Sequence, residues 1–188
     1  MDTTKAEILT QVNKNCKRAE TDIDDILLAA MREISIRTGI LTTVATGSTT
    51  AGQAYISAPT DLAANLIYSL YLGDDKPLDR ITWKQYLNNN FGGWCLYKKR
   101  IYLRPNPTSA RTYSLEYSQI DDDVAAIGLP DEYEPTLVEL TCAKLYRKYE
   151  MFDKIEPAIV LYERELMMVF DDATDPVMEV NSIESTLR

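Results

Sequence analysis

The residues best suited to chemistry in this chain are carboxylates, grouped at Asp24-Asp25, Asp74-Asp75, Asp121-Asp122-Asp123 and Asp171-Asp172. A metal-dependent nuclease needs carboxylates that converge on one or two ions. Asp24-Asp25 read as the first turn of a helix, where the helix dipole favours negative charge. Asp74-Asp75, after Gly73, read as a turn. Asp121–Asp123 follows a strand end and is the remaining metal candidate, set against a solvated loop. Lys98-Lys99-Arg100 is the densest basic run, and with Tyr97, Tyr102 and Trp94 close by it could suggest a stacking platform for nucleic acid. Alternation along a strand sends these side chains to opposite faces, so a charged edge that discourages stray strand pairing is the simpler reading. Ala45–Gly52, ATGSTTAG, lacks the lysine of a phosphate loop and reads as a hairpin tip.

What is missing narrows the chemistry further. The 188 residues include no histidine. Ser-His-Asp and Cys-His catalysis are thereby excluded, as are the usual zinc sites, while carboxylate and lysine chemistry stay formally open. Cys16, Cys95 and Cys142 are far apart and form no CxxC, so they read as small core or near-surface thiols in a reducing compartment. The expectation is a protein with no enzymatic activity, catalytic residue, cofactor or metal. The N-terminus has no apolar core of signal-peptide length, and the longest apolar runs, such as Ile26–Met31, are too short to span a bilayer. A soluble protein made inside a cell, without a membrane partner, is expected. A formal net charge of −9 argues against a general nucleic-acid-binding surface, though not against DNA passing nearby. Twelve tyrosines against three phenylalanines point to half-buried positions and protein interfaces.

The elements that must position these residues are helical at both ends. Thr4 to Arg18 offers Ile8, Leu9 and Val12 at helical spacing. In the next segment Ile23, Ile26, Leu27, Ala30 and Ile34 mark one buried helix face, with Arg37 in the last turn and Gly39 as the left-handed cap. A Thr/Gly/Ser/Ala-rich stretch follows and reads as a long β-hairpin or an extended, partly mobile arm. Asn65–Leu72 and Pro77–Ile81 read as strands, Thr82–Asn88 as a short helix capped by Thr82, and Trp94–Leu103 and Thr112–Ser118 as two further strands. Pro105-Asn106-Pro107-Thr108 must be the turn between those last two. Val138, Cys142, Leu145, Tyr149 and Phe152 form one apolar stripe, and Ile155, Ile159, Tyr162, Leu166 and Val169 a second, which predicts an antiparallel helical hairpin. Pro157 is expected in the first turn of its helix, since an interior proline costs about 3 kcal/mol. From Asp171 the stripe is lost and the chain reads as a tail.

The fold class is therefore mainly α with a β insertion (α+β): a helix bundle with an antiparallel β-hairpin or small sheet between its N-terminal and C-terminal helices. Residues 1–170 form one domain, with helices over about 4–38 and 131–170 and the β-rich insertion over about 41–118. Residues 171–188 are the tail.

Three ordered units carry a resemblance. One is Pro-x-Asp-Leu at Pro59–Leu62, leading to a strand, a turn and a Leu…Thr-x-x-x-Tyr segment at Leu78–Tyr86. The second is the strand-Pro-x-Pro-strand unit at Ile101–Tyr117. The third is Leu129-Pro130-Asp131-Glu132-Tyr133, which opens a helix at Leu137–Tyr146. Together they resemble the head-to-tail adaptor (connector, or head-completion) proteins of tailed bacteriophages. The resemblance implies a virion protein of the neck, assembled in the host cytoplasm. Rings of about twelve such subunits dock below the portal protein, present a platform to tail or neck proteins, and let DNA pass without specific binding. Because C-terminal segments of that family reach up to the portal, Val177, Met178, Val180, Ile183 and Leu187 are assigned to portal contact. Val44, Ser48, Thr49, Thr50 and Gln53, on the 41–54 arm, are assigned to a neighbouring subunit or a tail protein. The competing reading is a phage-encoded nucleic-acid-binding or processing protein, resting on Asp121–Asp123 or Lys98–Arg100.

Overall fold

The computed structural model describes residues 4–73, 76–88 and 91–172. It opens with α1 (Lys5–Cys16) and α2 (Asp24–Thr38). Thr4 starts α1 through a reciprocal capping box: its hydroxyl accepts from the Glu7 N–H, and the Glu7 carboxylate accepts from the Thr4 N–H. Gly39 ends α2 at φ +64°, its N–H returning to the Ser35 carbonyl, as the sequence predicts. Ile23, Leu27, Ala30 and Ile34 are buried as expected, and Met31 joins them.

At the other end, a 3₁₀ turn (Asp131–Tyr133) leads into α4 (Glu134–Lys148), and α5 (Phe152–Asp172) folds back on it. The helix α4 lies centrally, against α1, α2 and α5. Ile8, Val12, Leu137, Val138, Cys142, Leu145, Tyr162 and Leu166 fill the space between the helices. The hairpin is as expected, but three details differ. The α4 stripe stops at Leu145; Tyr149 is exposed and Phe152 is 70% exposed, because the chain turns at Glu150 (φ +57°) and Phe152 begins the next helix. Pro157 falls in the second turn of α5, so its missing N–H leaves the Asp153 carbonyl without the usual helical donor. The helix also continues through Asp171 and Asp172, which the sequence pattern assigns to the tail.

Between the two helical halves lie β1 (Thr42–Ser48), β2 (Tyr55–Ser57), β3 (Leu62–Leu72), α3 (Trp83–Leu87), β4 (Gly93–Tyr97), β5 (Arg100–Arg104) and β6 (Thr112–Gln119). The strands form two antiparallel three-stranded sheets, ordered β1-β6-β3 and β2-β5-β4. Ile67, Leu70, Leu115 and Tyr117 of the first sheet meet Ile56, Trp94, Ile101 and Leu103 of the second in a separate core. The α+β class holds, and the insertion is a small sandwich. It is tied to the helices by the Tyr68 hydroxyl, which donates to the Gly39 carbonyl at 2.9 Å. The Asp121 N–H donates to the Ser35 hydroxyl at 3.1 Å.

Two strand readings are corrected. β1 makes no hairpin with β2; it pairs with β6, while β2 joins the other sheet. The Thr49 N–H donates to the Arg111 carbonyl and the Gly52 N–H to the Pro107 carbonyl, so the chain is carried across the sandwich instead of folding back. Trp94–Leu103 is not one strand. Lys98 and Lys99 take φ values of +49° and +59° and form a tight two-residue turn between β4 and β5. Residues 77–81 form no strand; they lie against β4 through an isolated Arg80–Trp94 bridge and the Trp94 indole N–H, which donates to the Leu78 carbonyl. The short helix α3 is capped by Thr82 as predicted, and the Gln85 side chain completes a reciprocal capping box.

Candidate assembly surfaces

Alternation along the second sheet decides which side chains reach solvent. Tyr55, Tyr102 and Cys95 sit side by side across β2, β5 and β4, and Ser57, Arg100 and Tyr97 form the next row. Both rows lie on the face turned away from the sandwich core, and α3 crosses it. Trp83 stacks on Tyr97 with ring centroids 4.2 Å apart and on Tyr86 at 5.2 Å, and Tyr102 meets both Trp83 and Tyr86 edge-on. Cations lie on these rings: Arg100 is 4.3 Å from the centre of Tyr55 and Arg104 4.6 Å from that of Tyr86. Leu87 and Phe91 are exposed beside the cluster.

The sequence pointed to part of this patch and misplaced the rest. Tyr97 and Tyr102 do belong to it. Trp94, in contrast, is 1% exposed in the sandwich core, with its indole N–H donating to the Leu78 carbonyl. Lys98 and Lys99 are turn residues rather than a charged strand edge. The main contributors that sequence reading missed are Trp83 and Tyr86. Their i, i+3 spacing on a five-residue helix is too short a signal to set a face.

The 41–54 arm is pinned along its length. β1 is an edge strand, with Val44 opposite Glu116 and 58% exposed, and Ser48, Thr50 and Gln53 are also exposed. Thr49 behaves differently: it is 3% exposed, and its hydroxyl both accepts from the Arg111 N–H and donates to the Arg111 carbonyl. It anchors the arm and offers no surface. The tail residues Val177, Met178, Val180, Ile183 and Leu187 lie outside the described residues.

Asp121–Asp123 forms a self-capping loop. The Asp121 carboxylate is buried and accepts from the Gly128 N–H at 2.9 Å, while Asp123 accepts from the Ala125 N–H. Burial, only partly offset by backbone N–H donors of Gly128, Asp123 and Leu129, pushes the Asp121 carboxyl above the usual range. Among the described residues no group of three or more metal-ligating side chains gathers. The three cysteines are free and buried. Cys16 and Cys142 share the helical core, and the neighbouring Cys16 thiol together with burial pushes the Cys142 thiol up. No helix among the described residues is long and apolar enough to cross a membrane.

The solvent side of α5 completes the inventory of surfaces, with Val160 and Met167 exposed by 61% and 64% and Leu161 and Met168 beside them. Residues 3–180 match the family described as SU10 adaptor protein. The chain belongs to that family.

The match covers both helical halves of the adaptor, its whole β insertion and the start of its tail. Val177, Met178 and Val180 therefore lie inside the family region, and Ile183 and Leu187 beyond it. The resemblance drawn from Pro59–Leu62, Ile101–Tyr117 and Leu129–Tyr146 is confirmed, and the protein is a structural adaptor of a phage particle. No curated protein matches the adaptor.

Proposed function

We propose that the adaptor assembles as a ring of about twelve copies that joins the portal vertex of the head to the tail, with the genome passing through the enclosed channel. Family membership over residues 3–180 carries this reading. The surfaces are consistent with it. Aromatic and apolar groups that a lone subunit leaves in water lie on α3, on β1 and along α5, as expected of a component that works by contact. The acidic balance suits a channel that must not grip DNA, because every copy in the ring would multiply an attraction. No catalytic role is assigned.

Portal contact is assigned to Val177, Met178, Val180, Ile183 and Leu187 of the tail, which leaves the end of α5 at Asp172. Contact with a neighbouring subunit or a tail protein is assigned to Val44, Ser48, Thr50 and Gln53, with Thr49 holding that edge in place. The test is deletion of residues 173–188. The truncated adaptor should keep its helical signal and lose co-sedimentation with the portal. Undiminished portal binding would refute the tail assignment, and particle images without a collar of this protein between portal and tail would refute the adaptor ring itself.

A further inference from the structure

Charge is segregated along this chain. Residues 76–104 hold seven lysines and arginines against one aspartate, whereas residues 112–143 hold eight aspartates and glutamates and no lysine or arginine. The basic segment supplies α3, β4 and β5, the elements of the aromatic face. The acidic segment supplies β6, the self-capping loop and the start of α4. The ion pairs seen among the described residues are Lys5–Asp24, Arg18–Glu20, Arg37–Glu163 and Lys144–Glu33. None uses Lys84, Lys98, Lys99 or Arg100 on one side, or Asp122, Asp123 or Glu132 on the other.

We propose that the aromatic, basic face of the second sheet, with α3 across it, docks on the acidic segment around Asp122, Asp123 and Glu132 of a second copy of the same chain. The inference deepens the ring reading and rests on it for the order of the copies: a face on one subunit that meets a different face on the next is the head-to-tail contact from which rings close. Rigid aromatic rings and arginines are the side chains that anchor protein contacts. Trp83, Tyr97 and Tyr102 are half-buried and already locked by stacking on one another and on the buried Tyr86, so little side-chain freedom is lost on docking. Opposed charge on the two faces sets the register and disfavours like-with-like pairing. A duplex fits the same face less well. Its bases are stacked away from these rings, and the chain's net charge of −9 repels a polyanion.

The experiment uses the full chain and reads its self-association by sedimentation velocity over a broad concentration range, at about 50 mM and about 500 mM salt. Wild type should associate at low salt and weaken at high salt. K84E/R100E and D122K/D123K should each weaken association by about tenfold or more, and the chain carrying all four changes should recover most of the loss. The milder K84Q/R100Q guards against a folding defect and should weaken association less. A wild-type chain that stays monomeric throughout would overturn the proposal. So would reversals that change nothing, or a four-fold variant no better than its parents. A loss of binding to a labelled duplex in K84E/R100E, with self-association intact, would instead make the face a nucleic-acid surface. The adaptor reading fails separately, on the absence of a collar in the particle, whatever the charge reversals do.

Discussion

A Cβ placed on Gly93 would lie 2.2 Å from the carbonyl oxygen of Asp79. The contact is backbone against side chain, so no rotamer change relieves it, and the φ of +138° at Gly93 is one that side chains rarely adopt. The approach exists because the Trp94 N–H donates to that same carbonyl at 2.9 Å, which holds the 77–81 segment on β4 and leads the chain into α3.

Gly93→Ala should therefore destabilise the sandwich by about 3 kcal/mol or more. Gly52→Ala, where φ is also positive but nothing lies within 4 Å, should cost only about 1 kcal/mol. Urea midpoints of the two variants check the contrast, and equal losses would show that crowding at Gly93 is not decisive.

Arg37 joins the two helical halves. It donates to both carboxylate oxygens of Glu163, at 2.7 and 3.1 Å, and to the Tyr162 hydroxyl at 3.0 Å. The pair is partly exposed and therefore screened, so a double-mutant cycle of Arg37→Met and Glu163→Gln should return a coupling of about 0.5–1 kcal/mol that shrinks with added salt. A coupling that does not respond to salt would contradict this account.

Asp121 sets a pH dependence whose sign is fixed by burial. Its folded pKa is raised above the ordinary 3.8, so its contribution to stability is fully present below that value and is lost as pH rises through the folded pKa. Asp121→Asn removes the titration. The stability of wild type minus that of the variant should then fall as pH rises from about 3.5 toward neutrality. Denaturation of both proteins at several pH values gives the difference directly; a rise across that interval would reverse the assignment.

Cys16, Cys95 and Cys142 are all buried. None should react with an aromatic disulfide reagent while the protein is folded, and all three should react in denaturant. Rapid labelling of Cys16 or Cys142 in the native protein would mean that the packing between α1 and α4 opens readily.

The helices were legible because their signals are local. Stripes at helical spacing, the Gly39 cap, the Thr82 cap and the ordered Pro-x-Asp-Leu and Leu-Pro-Asp-Glu-Tyr segments can all be read within a few residues, and they led to the correct family. Strand partners could not be read this way. Register is chosen by residues far apart in the chain: β1 finds β6 rather than β2 because Thr49 is held at Arg111, and nothing near Thr49 announces that partner. The same limit hid the aromatic face. Tyr55, Trp83, Tyr97 and Tyr102 come from four elements, and only the β2-β5-β4 register and the crossing of α3 bring them together. By itself the sequence determined the kind of protein, its helical ends and its lack of histidine chemistry, all of which depend on residue type and short spacing. Tertiary structure alone decided which side chains share a surface, because that depends on long-range pairing between sheets.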